Sequence, residues 1–489
     1  MRRIVLALSL VTAALLVPTV NAAALDTASP GAHSLGDRLF PDLGNGGYDV
    51  LDYDIRMTYV DGSQLMPASV TIRAKATQPL STLSLDAAAQ QIKSATVDGR
   101  QAEFRQDKEK LLLGPAEPLR ADGLFTIQID YTADRGKNPT PPGVNLPSGM
   151  KWPITAWVET PDGFAVMGQP DRAHLFFPSN DHPSDKAKFT FHLTVPNDRT
   201  AVANGDLVTK EPHPDGTTTW TYHTKDPMPT HVVQLAVGRF RALNQVGPDN
   251  LPIRSYLTTA PFQNMNLTDD MERTARKTPD HVAWLTKELG PYPFTRYGVL
   301  GLSSTYNSVA LETATLSTYG AALSLPPEKQ APTMVHELTH QYFGDSVSVS
   351  TWDDMWLSEG HARFYERRYA ASQGWINLDQ ELKSQYQSDQ KNRTTTGPAG
   401  HLKNPYSVLF DTNVPGQLTL EGLHTLVGPD TFHRIEQTFL DRYRHKSAST
   451  QDYITVANEI SGRDLTDYFH NWLYGTTTPP MPGHPDWTS

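Results

Sequence analysis

The chain has 489 residues, 38% hydrophobic and 19% charged, with a formal net charge of −11. That length supports two to four domains with substantial cores, and the acidic balance argues against a nucleic-acid partner. The absence of cysteine excludes disulfide staples, thiolate metal ligands and a cysteine nucleophile.

Residues 1–23 read as a secretory signal peptide. Arg2 and Arg3 form a basic start, and Ile4 to Val17 is apolar but too short to cross a bilayer comfortably. Val20-Asn21-Ala22-Ala23 offers a small-residue cleavage site. The expected product is secreted, extracellular and bacterial, with no stable membrane anchor after cleavage. Residues 24–245 form the expected β domain. Phe189, Phe191, Leu193 and Val195 alternate with polar neighbours, and Val70-Thr71-Ile72 and Phe125 to Ile129 behave alike. Turn clusters such as Asn204-Gly205-Asp206 and Pro214-Asp215-Gly216 separate such runs, which implies antiparallel sheets packed face to face.

From 246 to 475 the period becomes helical. Thr278-Pro279 reads as a cap and first turn, and Gly290-Pro291 as a stop after Leu289. Pro332 is expected to open the next helix and Gly344 to close it, with a further helix from about Asp354 to Ala371. Asp389 to Pro405 reads as a polar loop. Helices resume over about 418–444 and 451–474, and 476–489 is a proline-rich tail, expected to be extended.

His336, Glu337 and His340 form an H-E-x-x-H run, and Glu359 follows eighteen residues after the second histidine. Residues four apart share a helix face, so both imidazoles can address one ion. With Glu359 from a second helix, three ligands leave one position of a tetrahedral zinc open for water. Glu337 is then placed to take a proton from that water as general base. The competing explanation, a chance pattern on a surface helix, is weakened by the motifs around it.

Those motifs resemble the M1 family of zinc aminopeptidases over most of the chain. Asn45-Gly46-Gly47-Tyr48-Asp49-Val50 is similar to the entry to the family's β domain, and Phe177 to Lys186 to its F-P-x-x-D-x-P-x-x-K stretch. Gly290 to Phe294 is similar to the lead into its catalytic domain. His336 to Asp345 resembles H-E-L-x-H-Q-W-F-G-D, and Trp352 to Gly360 resembles W-x-D-x-W-L-N-E-G. The resemblance implies an α+β multidomain protein: an N-terminal antiparallel β-sandwich or saddle domain, then a mostly helical thermolysin-like zinc metallopeptidase domain. It also implies one Zn2+ per chain and the lack of the large C-terminal helical domain of many relatives. Val309-Ala310-Leu311-Glu312-Thr313 stands where the family has G-x-M-E-N, whose glutamate binds the free amino group of the substrate. Gln169 matches a β-domain glutamine or glutamate that helps hold the same group. The family's catalytic tyrosine, in a V-Y-x-x-G stretch about 60 residues after the third ligand, is not evident in Leu409 to Leu418. Tyr406 lies nearby and is expected to pack a loop.

Other polar residues have plainer readings. His361 is expected to be pocket wall or surface, and Asp345 and Asp354 either to orient ligand imidazoles or to cap helix ends. The favoured function is a secreted zinc aminopeptidase acting on peptides with a free N-terminus. A thermolysin-like endopeptidase and a slow or inactive binding protein on the same fold are the alternatives, and the sequence leaves the oligomeric state open.

Overall fold

A computed structural model describes residues 27–137, 144–145, 151–152, 156–304 and 310–488. The signal-peptide stretch and Val309 lie outside the described residues. The strand Lys186–Pro196 buries Ala187, Phe189, Phe191, Leu193 and Val195 and turns the intervening residues outward, as its alternation requires. It lies inside a large sheet with the strand order Asp206–Pro212, Thr217–His223, Lys186–Pro196, Tyr48–Thr58, Leu65–Ala76, Leu124–Asp134, Gln90–Val97, Arg100–Gln101. The expected antiparallel sheet has one exception. Lys186–Pro196 runs parallel to Tyr48–Thr58, with Lys188 opposite Asp52 and Thr194 opposite Thr58. A parallel pair needs a long crossover, and the chain supplies one by building other strands between residues 58 and 186. Ile55, Val70, Ile72, Ile127, Phe189 and Phe191 share the core beneath this sheet.

A smaller sheet orders Trp157–Thr160, Gly163–Val166, Leu235–Gly238 and Thr200–Ala203, and its second strand leads directly to Gln169. A five-stranded sheet begins with the hairpin Phe240–Val246 and Pro252–Thr258, continues through Val299–Gly301 and Ser317–Tyr319, and ends on Ala310–Leu311. Against it pack the helices, around a second core containing Leu338, Trp356, Phe364, Tyr453 and Phe469.

Helix boundaries depart from expectation in two places, and the tail departs from it as well. The helix Pro327–His340 starts before Pro332, which sits inside it. The hydrogen bond that Pro332 cannot donate would have ended on Glu328, in the exposed first turn, so little is lost there. The helix Leu378–Thr395 takes in the first residues of the expected loop, because Asp389 and Arg393 are a buried i,i+4 ion pair rather than a solvated run. The tail beyond Thr476 is not free: Met481 and Trp487 are buried against Leu382, Tyr386, Leu418 and Trp472. Among the described residues no helix is long and apolar enough to cross a membrane.

The β half grips the end of the His336-bearing helix. The Lys186 ammonium donates to Asp345 O at 2.8 Å and Ser346 O at 2.6 Å, and Ser348 Oγ donates to Pro183 O at 3.0 Å. Pro183 and Lys186 of the F-P-x-x-D-x-P-x-x-K stretch therefore lie at the seam and fix the turn just past His340.

Candidate active site

The helices Pro327–His340 and Trp356–Ser372 lie side by side and bring His336, His340 and Glu359 together. Glu359 Oε2 is 3.4 Å from His336 Nε2 and 3.6 Å from His340 Nε2. The outer nitrogens are engaged elsewhere. His336 Nδ1 donates to Glu366 Oε2 at 3.1 Å, and His340 Nδ1 lies 2.8 Å from Ser358 Oγ, which donates on to Phe343 O at 2.9 Å. With each Nδ1 engaged, each Nε2 is the atom left to face the carboxylate, and on losing its proton it becomes the lone pair a metal ligand needs. Two imidazole nitrogens and one carboxylate oxygen, all within 4.8 Å of one another, fit a tetrahedral zinc with an open position.

Gly344 makes this arrangement sterically possible. Its φ of +135° is one that side chains avoid, and a Cβ there would stand 2.6 Å from Ser358 Oγ, the hydroxyl that orients His340.

Charge inside the pocket follows from burial and from these pairings. Burial pushes Glu337 up, and although both imidazoles oppose the rise, the Glu312 and Glu359 carboxylates add to it, leaving Glu337 at about 8. Burial also acts to raise Glu359, but His340 and His336 outweigh it and hold the carboxyl at about 2. Glu366 is held at about 2 against the same burial by Arg363 and His336.

Glu312 follows the last strand of the five-stranded sheet and lies with Glu337 and His340 in a second group whose polar atoms are within 4.8 Å of one another. Gln341, the residue after His340, fixes it there. Gln341 Nε2 donates to Glu312 O at 3.1 Å while its Oε1 accepts from Thr315 N at 2.7 Å. Gln169, arriving from the β half, donates from Nε2 to Glu312 Oε1 at 2.6 Å. The structure thus brings all six expected site residues into one buried cluster.

Some expected roles fall to other residues. Asp354 is a cap, accepting from Thr450 N at 2.9 Å and Thr351 Oγ1 at 3.0 Å. Asp345 is wholly buried, and neither carboxylate oxygen meets a donor among the described residues, so burial drives its pKa well up. Glu366 and Ser358 hold the imidazoles instead. Glu366 is seven residues beyond Glu359, two turns along the same face, and that spacing was a usable signal. His361 is neither wall nor surface. It is fully buried, stacked on Phe343 at 3.9 Å, with Nε2 toward Glu436 at 3.2 Å.

Tyr406 is tied to the β half: Arg172 Nη2 donates to its hydroxyl at 3.0 Å, and the hydroxyl donates to Asp171 Oδ2 at 3.2 Å. The stretch where a tyrosine was sought places Asn413 at the centre. The helix Asn413–Val427 crosses Trp356–Ser372 at two glycines, where a Cβ on Gly360 would meet Gly416 Cα at 2.8 Å. That contact sets Asn413 opposite Glu359, and Asn413 Nδ2 donates to Glu359 Oε2 at 2.9 Å and to Leu409 O at 3.0 Å.

A β-rich half followed by a helical half that carries two histidines and a glutamate defines a zinc-metallopeptidase architecture. The family model described as the Peptidase family M1 domain matches residues 275–472, and the Peptidase M1 N-terminal domain model matches residues 159–232. The chain belongs to peptidase family M1. A crystal structure of an M1 zinc metallopeptidase from Deinococcus radiodurans is similar to it with a TM-score of 0.78 and 27% identity, covering 92% of this chain and 99% of that one. A mutant of that protein has been solved bound to a Tyr-Ser-Ala substrate. Among curated proteins, human glutamyl aminopeptidase is 24% identical over 410 residues, 76% of this chain and 40% of the relative. Aminopeptidase N of Streptomyces lividans is 27% identical over 354 residues, 65% of this chain and 40% of the relative. The chain thus spans less than half the length of these curated relatives.

Proposed function

We propose that this chain is a secreted zinc-dependent aminopeptidase that removes residues one at a time from the N-terminus of peptides. One observation carries the reading. The Glu312 carboxylate, held by Gln169 Nε2 at 2.6 Å, shares a pocket with Glu337 and His340. An acidic group at that place pairs with the ammonium of a free N-terminus and fixes the scissile bond one residue away. An internal stretch of peptide offers no such cation and would leave Glu312 buried and unpaired.

Zinc, one ion per chain held by His336, His340 and Glu359, would supply Lewis acidity, polarising the scissile carbonyl and lowering the pKa of a water. Glu337 accepts the proton of the attacking water and returns it to the departing amine. Glu366 and Ser358 keep the imidazoles in the ligating tautomer. Ala310–Leu311, the last strand of its sheet, presents a backbone edge along which an extended peptide can lie. Secretion rests on the basic, then apolar, then small-residue run in residues 1–23, and division into a β domain (24–245) and a catalytic domain (246–475) on the change of pattern near residue 246.

The test is one peptide offered with a free and with an acetylated N-terminus, before and after chelation of the metal. Stepwise release of N-terminal residues from the free peptide alone, abolished by the chelator, is the expected result. Internal cleavage of both at comparable rates would establish an endopeptidase instead.

A further inference from the structure

We propose that Asn413 is the residue that stabilises the oxyanion, its carboxamide N–H meeting the substrate's carbonyl oxygen as that oxygen becomes negative. The inference rests on the aminopeptidase reading above and adds a residue to it.

Three observations converge on Asn413. Among the described residues, the side chain that donates to Glu359 apart from the two imidazoles is Asn413, at 2.9 Å from Oε2. Oε2 is the oxygen that faces both His336 and His340, so the donor touching it borders the cluster that would hold the ion. The second amide hydrogen is committed to Leu409 O at 3.0 Å, which fixes the plane of the carboxamide and aims its other N–H into the pocket. The glycine contact between Gly360 and Gly416 leaves the two helices no slack, so the carboxamide is held in place and only its bond has to shift. Tyr406, the other nearby donor, has its hydroxyl spent on Asp171 and is bonded by Arg172.

The energetics favour a transfer of the bond. Zinc held by Glu359 would draw charge from the carboxylate that holds the Asn413 N–H, while the carbonyl oxygen of the substrate gains charge along the reaction. The N–H therefore shifts its bond toward the oxygen that is becoming the stronger acceptor. The interaction strengthens mainly in the transition state, so it acts on kcat more than on KM. The Asn413 proton is shared and not transferred, and the carboxamide is unchanged at the end of the cycle.

The experiment uses the full-length exported protein, a free-amine dipeptide anilide, and Asn413→Leu and Asn413→Ala variants. Zinc affinity is read separately by chelator competition, and binding of a phosphinic dipeptide, whose charged oxygens imitate the tetrahedral species, by titration. With zinc saturating, kcat is expected to fall by about a hundredfold, the usual cost of one lost oxyanion donor, with KM changed by less than about threefold. Phosphinate affinity should fall by a similar factor, zinc affinity by less than about tenfold, and Tyr406→Phe should leave kcat within about threefold. A kcat within about threefold of wild type in both Asn413 variants would overturn the proposal. So would a loss of activity that added zinc fully restores, because Asn413 would then only seat Glu359. Wild-type protein that is loaded with zinc and inactive would overturn this proposal and the aminopeptidase reading together, whereas an active wild type with unaffected variants would overturn this one alone.

Discussion

The helical half and the β half reach the same pocket by different means. The helical half places its ligands through local geometry: His336 and His340 are one turn apart, and Glu359 comes from the adjoining helix. The β half contributes Gln169, which reaches Glu312 across 143 residues of chain. On the proposed function, metal binding is a property of two packed helices, whereas recognition of the amino end depends on how the halves are seated against each other. Mutations should separate these two dependencies.

The largest separation is expected at Glu312. Glu312→Ala removes the partner of a buried ammonium, worth about 3 kcal/mol, so kcat/KM on free-amine substrates should fall by about a hundredfold while zinc content stays at one per chain. Loss of zinc in this variant would erase the distinction between the halves. Glu366→Ala should do the reverse, weakening zinc by about 10- to 100-fold in a chelator competition and recovering turnover when zinc is supplied in excess. Gln169→Ala should cost less, about fivefold in kcat/KM, the value of about 1 kcal/mol for one neutral hydrogen bond.

The smallest expected effect on activity belongs to the β half alone, where the change is in stability. His174 is buried, which by itself would lower its pKa, but the Asp181 and Glu109 carboxylates outweigh burial and raise it to about 10 from an ordinary 6.5. A pKa raised on folding stabilises fully below about 6.5 and is lost as pH climbs through about 10. The gap in thermal midpoint between wild type and His174→Gln should therefore be widest at pH 6 and narrow by pH 10.5. A gap that widened with pH would show that His174 is neutral in the folded protein.

What was legible in the sequence follows the same division. The H-E-x-x-H spacing and Glu359 were readable because a helix turns residue number directly into direction. Glu366 was overlooked although it obeys the same rule, since Asp345 and Asp354 stood closer to the ligands in sequence. Asn413 gave only a faint local signal, its place three residues before Gly416, where V-Y-x-x-G has its tyrosine. Its role depends on the glycine contact that brings two helices together, and such a crossing is a tertiary fact. The stretch from Asp389 looked like a loop because a buried Arg393–Asp389 pair is indistinguishable from solvated charge in a sequence. In the β half, alternation located the strands, but the parallel pairing of Tyr48–Thr58 with Lys186–Pro196 depends on the intervening chain and not on either strand.

The central claim is that Glu337 moves the proton while His336, His340 and Glu359 hold the metal. Glu337→Gln keeps the size of the side chain and its place beside the ligands and removes only its basicity. Zinc content and turnover should be measured on the same preparation of that variant. The account predicts zinc at one per chain, as in wild type, and hydrolysis of a free-amine peptide slowed by about a hundredfold to ten-thousandfold. Wild-type turnover by the zinc-loaded variant would contradict it.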